Sequence, residues 1–276
     1  MGMQTAFLRG REHQLVGDVE LKGLGPAAIA LSRGGAPKTY SYTDPNEDCV
    51  AFAIGEGGQV AVAADGHHGE LGSEAAVQTI LEEFAEEWTA ASAPASSPDE
   101  WRSLGLDALL HANRAILEVA GRNQIPPAPT TFTLALVRPE DNLLLSLSVG
   151  DSHVFAVDRG AARELGNRDP DWKFTPFLGY EEAGRSMMEE YSIIRVHELT
   201  DLRAIVLATD GLSEPGIGVV DPAREVCSQV AQVELDNRPD QFAVETCRGV
   251  LETALRAHLR QKAGDNMGCA VLWVGR

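Results

Sequence analysis

The residues best able to do chemistry in this chain are aspartates that end apolar runs. Val60-Ala61-Val62-Ala63-Ala64 stops at Asp65-Gly66-His67-His68-Gly69, and Ile205-Val206-Leu207-Ala208-Thr209 stops at Asp210-Gly211. Gly264-Asp265-Asn266 stands just before a third such run, Cys269 to Val274. A strand buried on both faces reads as a short continuous apolar run, and one that ends in Asp-Gly delivers a carboxylate to the rim of its sheet. Any single Asp-Gly is equally a tight turn. Three strand-end aspartates are different if their strands are neighbours, because the carboxylates then converge. Carboxylates in contact cannot all ionise cheaply, and a divalent cation removes that conflict. Such oxygen donors suit Mg2+ or Mn2+ better than zinc. His67 and His68 make a poor zinc pair: adjacent side chains diverge, and no nearby Cys or His completes a tetrahedron.

Asn46-Glu47-Asp48 and Gly150-Asp151-Ser152 complete a series of five acidic motifs. In their order and rough spacing, from about residue 27 to the C-terminus, the chain resembles the metal-dependent protein phosphatases (PPM type, also called protein phosphatase type 2C), in a bacterial-like form. The resemblance implies an enzyme that hydrolyses phosphoserine and phosphothreonine in phosphorylated proteins with a metal-activated water and no covalent intermediate. It implies that Asp65 bridges two Mn2+ or Mg2+ ions, with the Gly66 carbonyl completing one and Asp210 and Asp265 holding the other. Two ions about 4 Å apart can bind a phosphoryl oxygen and lower the pKa of a shared water. Glu47, Asp48 and Asn266 would stand behind these ligands and orient that water. His67 matches the general acid that protonates the leaving alkoxide, a task for an imidazole of near-neutral pKa. His68 reads as structural. Asp151 matches the aspartate that in bacterial relatives helps bind a third, weaker ion.

Two departures bear on substrate rather than chemistry. The family commonly has an Arg four residues before the Glu of its first acidic motif, where it grips the substrate phosphate; here that position is Thr43. Loss of a bidentate, charge-assisted contact costs on the order of 1.5–3 kcal/mol of phosphate binding. Arg33 and Lys38 are the nearby cations available to substitute. The second departure is the segment 160–193, where the family has its flap. It reads as a short irregular loop carrying Trp172, Phe174 and Phe177, and such a change alters which phosphoproteins dock rather than whether metals bind. Two alternatives stay open: a pseudophosphatase that binds a phosphoprotein or signalling partner with little turnover, and a phosphatase of small molecules. No GxxxxGK[ST] loop supports a kinase or GTPase.

The elements that must position these residues follow from pattern. The 276 residues suffice for a large layered core. A net charge of −18, from 41 acidic and 23 basic residues, argues against nucleic acid or anionic membrane as partner. Four cysteines without CxxC spacing suit a reducing, cytoplasmic setting, and no apolar run approaches the ~20 residues of a membrane span. Residues 1–26 read as an N-terminal extension or extra strand, and 27–276 as one domain. Ala27–Ser32 and Cys49–Ile54 read as strands, the second joined to Val60–Ala64 by a glycine turn. Helical periodicity follows from Ser73 through Trp88, and again from Ser97-Pro98-Asp99-Glu100 (Ser as N-cap, Pro at N1, Glu at N3) to a stop at Gly121. A meander spans 130–157. Helices are expected after Asp221-Pro222 and over Phe242–Leu259, the latter with Cys247, Val250, Leu251, Leu255 and Leu259 on one face. Helices thus fall in pairs rather than alternating with strands. This predicts an α+β fold, a four-layer α-β-β-α sandwich of two mainly antiparallel sheets flanked by helix pairs.

Overall fold

The structure, a computed structural model, describes residues 2–38, 45–166 and 176–275. Thr43, Trp172 and Phe174 lie outside the described residues. Strands and helices are numbered along the chain. One sheet runs, in spatial order, β1 (Gln4–Arg9), β4 (Cys49–Ile54), β5 (Gln59–Ala64), β6 (Phe132–Arg138), β7 (Leu143–Val149) and β10 (Ile193–Glu198). The other runs β2 (Glu20–Leu24), β3 (Ala27–Ser32), β12 (Met267–Trp273), β11 (Ala204–Ala208), β8 (His153–Val157) and β9 (Ala162–Glu164). Every neighbouring pair is antiparallel. Helices α1 (Leu71–Thr79), α2 (Ala85–Thr89) and α3 (Pro98–Asn123) cover the first sheet; α5 (Pro222–Asp236) and α6 (Phe242–Gln261) cover the second. The fold is the four-layer sandwich.

The strands read as unbroken apolar runs because each inner strand is buried on both faces, by different partners. In β5, Val60, Val62 and Ala64 face the helices, whereas Ala61 and Ala63 face the opposite sheet. In β12, Met267, Cys269 and Val271 pack on helices, and Ala270 and Leu272 meet the other sheet. The period-2 alternation is therefore intact but hidden, since both faces are dry. Residues 2–26 contribute an edge strand to each sheet, β1 against β4 and β2 against β3.

Three local expectations change. Helix α3 begins with the predicted capping box, Ser97 Oγ accepting from Glu100 N–H at 3.3 Å and Glu100 Oε2 accepting from Ser97 N–H at 3.0 Å. It runs past Gly121 to Asn123 and ends where Gln124 turns left-handed at φ 56°. A glycine in helical conformation only weakens a helix; the left-handed residue is what stops it. The segment 160–193 is more ordered than an irregular loop: its described part holds β9 and the short helix α4 (Arg185–Tyr191). These elements are legible only through their partners, β8 for the strand and α3 for the helix. In α6, Leu259 is exposed, one position beyond the stripe that His258 completes.

Candidate metal centre and active site

Strand register brings the acidic motifs to one rim. Cys49 pairs with Ala64, so Asp48 before β4 and Asp65 after β5 sit side by side. Ala208 pairs with both Cys269 and His153, so Asp210, Asp265 and Asp151 gather at the same end of the second sheet. β5 packs across the sandwich on β11 and β12, which closes the distance between the two groups. A cavity of about 300 Å3 results, lined by Lys38, Glu47, Asp65, His67, His68, Asp210, Glu214 and Asp265. A larger hollow of about 520 Å3 lies at the opposite end, beside Asp158 and Arg203, without any such convergence of carboxylates. Charge, not volume, picks out the site.

Asp65, Glu47 and the Asp210 turn are held through their backbone. Thr131 Oγ1 accepts from the Asp65 N–H at 3.0 Å, while Thr131 N–H and Thr130 Oγ1 donate to the Asp65 carbonyl at 2.9 and 2.7 Å. His68 adopts a left-handed φ of 65°, which turns the chain so that His67 and His68 both face the cavity. Asn266 Oδ1 accepts from the Glu47 N–H at 3.0 Å and joins the first and last acidic motifs. Asp210 opens a 3-10 turn whose Gly211 carbonyl accepts from His258 Nε2 at 2.7 Å. His258 Nδ1 in turn accepts from Gly35 N–H at 3.1 Å, so the ring is the Nε2–H tautomer and ties the Asp210 turn to the segment bearing Lys38.

The electrostatics are those of crowded carboxylates. Burial pushes Asp48 up to about 7, with Asp265 and Asp210 adding to the rise against a hydrogen bond from Thr209 and the charge of Lys38. Burial, then Asp48 and Asp265, holds Asp65 well above the usual carboxylate range. Asp210 is raised by burial and by Asp65 and Asp265, and Glu214 by burial and Asp265. One oxygen of Asp48 accepts from Thr209 Oγ1 at 2.8 Å; the other, Oδ1, is buried with no hydrogen-bond partner among the described residues. Burial lowers His67, whose Nε2 lies 4.0 Å from Asp65 Oδ2 and whose ring meets Phe177 edge-on at 4.5 Å. Asp151 is exposed and does not line the cavity, yet its charge acts on His67, Asp210 and Glu214.

These observations test whether divalent ions fit. The donors are hard oxygens, several raised by burial and then by one another's charge, and one buried carboxylate oxygen lacks a partner among the described residues; all three features suit Mg2+ or Mn2+. Among the described residues, no three His, Cys, Asp or Glu side chains are drawn in closely enough to hold an ion as they stand. A local cause is Lys38, whose ammonium sits 2.9 Å from Asp265 Oδ1 and 3.6 Å from Glu47 Oε2. The donor set fits, and its side chains must swing to close on an ion.

Four residues escaped the reading of the sequence. Glu214 follows Asp210 at the spacing of one helical turn, a signal that was there to use. His258 lies on the apolar stripe of α6, where an imidazole wants a buried partner. Ser213 and Glu164 had no signal: His153 donates its Nδ1–H to Glu164 Oε2 at 2.8 Å and accepts from Ser213 Oγ on Nε2 at 2.6 Å. That relay fastens the Asp210 turn to β8 and β9, and it joins residues far apart in sequence.

The comparisons bear on this arrangement. A family model described as Protein phosphatase 2C matches residues 37–262. Among curated proteins, none matches the chain. Solved structures similar to it include a serine-threonine phosphatase 2C from Toxoplasma gondii, 16% identical with a TM-score of 0.67, covering 94% of this chain and 99% of that one. The serine/threonine phosphatase Stp1 from Staphylococcus aureus is 15% identical with a TM-score of 0.65, covering 98% of this chain and 100% of that one. The catalytic domain of the serine threonine protein phosphatase PstP, in complex with two manganese ions, is 19% identical with a TM-score of 0.61, covering 92% and 98%. At these identities the likeness is one of fold. With the family model spanning most of the sequence and the sandwich placing its acidic motifs on one rim, the chain belongs to the protein phosphatase 2C family.

Proposed function

We propose that this protein is a metal-dependent phosphoserine/phosphothreonine protein phosphatase. The observation that carries the reading is the acidic cavity to which Glu47, Asp65, Asp210, Glu214 and Asp265 come from both sheets, with His67 at its edge. Two Mn2+ or Mg2+ ions, when bound, supply a water of lowered pKa and neutralise the phosphoryl oxygens. Asp65, the Gly66 carbonyl, Asp210 and Asp265 would hold these ions. Glu47, Asp48 and Asn266 would stand behind these ligands and orient the water, and Asp151 would serve a third, weaker site. His67 holds the proton destined for the leaving alkoxide at its Nε2, the nitrogen nearer Asp65. Phosphorylated protein is the substrate class. The free cysteines suit a cytoplasmic enzyme, and among the described residues no helix is long and apolar enough to cross a membrane.

Hydrolysis of p-nitrophenyl phosphate in EDTA, Mg2+ and Mn2+, beside Asp210→Asn, tests the reading. Metal-dependent turnover that the variant loses supports it. A second reading, a phosphate-binding pseudophosphatase, is favoured by Thr43 in place of the usual Arg; metal-induced thermal stabilisation without turnover would move the conclusion there. His67→Ala tests the acid. It is expected to spare Mn2+ binding and to cost roughly 10²–10⁴ in turnover of a phosphoserine peptide, with a much smaller loss on the aryl ester, whose leaving group needs no proton. Equal losses on both substrates would remove His67 from that role.

A further inference from the structure

Among the described residues, Lys38 is the one lysine or arginine on the wall of the acidic cavity. Its side chain is only 16% exposed, with the ammonium between Asp265 and Glu47. The backbone beneath it is anchored. Lys38 pairs with Gly264, Gly264 N–H donates to the Pro37 carbonyl at 3.1 Å, and Gly35 N–H donates to His258. From this fixed root a four-carbon stem carries a compact charge with three rotatable donors, able to change partner without moving the chain. Arg33, the other nearby cation, sends its Nη1 to the Gln14 carbonyl at 2.9 Å, in the N-terminal segment.

The charges around the cavity define what this ammonium is needed for. Five carboxylates line it, so a phosphomonoester, close to a dianion at neutral pH, meets a wall of its own sign. Two divalent ions offset four of those negative charges, and Lys38 offsets the fifth. Without it the loaded site keeps a net negative wall toward an anionic substrate. Without metals, the same ammonium is the counter-ion that relieves the crowding.

We propose that Lys38 is the residue that grips the substrate phosphate in this chain, and that in the metal-free protein its ammonium is the resident counter-cation of Asp265 and Glu47. The proposal takes its ligand class from the phosphatase reading but does not depend on turnover. It requires opposite effects on the two ligands. Lys38 competes with a divalent ion for Asp265, so its removal tightens metal binding; it attracts phosphate, so its removal weakens phosphate binding.

Calorimetry of Mn2+ binding, then of inorganic phosphate binding to the Mn2+-loaded protein, tests this in wild type, Lys38→Met and Lys38→Arg. The expected result for Lys38→Met is Mn2+ bound several-fold more tightly and phosphate bound roughly ten- to a hundredfold more weakly. Lys38→Arg, which keeps the charge, should bind phosphate within a few-fold of wild type. Lys38→Gln, which keeps a hydrogen bond to Asp265, repeats the test should the methionine variant not fold. Unchanged phosphate affinity in the uncharged variants overturns the proposal. So does parallel weakening of Mn2+ and phosphate, which would make Lys38 a structural strut, and so does a Mn2+-loaded wild type that binds no phosphate. A wild type that binds both ligands but hydrolyses no ester counts against the phosphatase reading alone; the Lys38 assignment then stands on the binding data.

Discussion

Replacing Asp65 with asparagine is expected to lower turnover of p-nitrophenyl phosphate by roughly a thousandfold or more and to abolish metal-induced thermal stabilisation. The same change should raise the melting temperature of the metal-free protein by several degrees at pH 8. Both effects have one cause. Asp65 is buried beside Asp48 and Asp265, and its ionised form is disfavoured in the folded chain. Asparagine keeps the shape and removes the repulsion, together with the charge a cation needs. The sign of the pH dependence follows. A carboxyl whose folded pKa is raised above its unfolded value, near 3.9, stabilises the fold fully below that value, and the contribution is lost as pH rises through the folded value. Asp48, pushed up to about 7, and Asp65 and Asp210, raised in the same direction, all act this way. In EDTA the melting temperature of wild type should therefore fall from pH 4 to pH 8. Mn2+ should reverse the trend, because its ligands must be deprotonated. Asp65→Asn should flatten it. Differential scanning fluorimetry across that range reads all three, and a wild-type melting temperature that rises with pH in EDTA would refute the crowded-carboxylate account.

Gly264→Ala is expected to be among the most damaging single-methyl changes in the chain. A Cβ at Gly264 would lie 1.7 Å from the Ala36 carbonyl oxygen, a backbone atom that cannot rotate away. That close approach is what fastens the segment bearing Lys38 to the turn bearing Asp265. The variant should lose several kcal/mol of stability, and Mn2+ affinity in whatever folds should drop tenfold or more. Gly121→Ala is the control. It sits in α3 with nothing within 4 Å of the added carbon, so it should be stabilising by about 0.5–1 kcal/mol. Equal melting temperatures for Gly264→Ala and wild type in chemical and thermal unfolding would show that the loop pairing is not tight.

Much of the architecture was legible in the chain because its signals are local. The Ser97 to Glu100 capping box, the Gly55 to Gly58 turn between β4 and β5, and Asp221 accepting from Arg224 N–H at the start of α5 each depend on residues within a few positions. The paired helices and unbroken apolar strands followed from burial on both faces, which pattern alone records. The failures share the opposite property. Gly121 marked a weak helix position, but the end was decided by the backbone of Gln124. The strand and helix within 160–193 form because β8 and α3 are there to receive them.

The candidate site divides along the same line. The sequence by itself determined which carboxylates stand at strand ends, since an apolar run that stops at Asp-Gly can only deliver its acid to a rim. It also determined that what these acids offer is carboxylate oxygen, the donor chemistry that suits a hard divalent ion better than zinc. Only the tertiary structure decided that two sheets place them on one rim, because that depends on register and on which strands face one another across the sandwich. It alone put His258 between Gly35 and Gly211, joined His153 to Ser213 and Glu164, and set the ammonium of Lys38 against Asp265. Those contacts link residues separated by 11 to more than 200 positions, and no local periodicity encodes which group on another element will satisfy a buried charge.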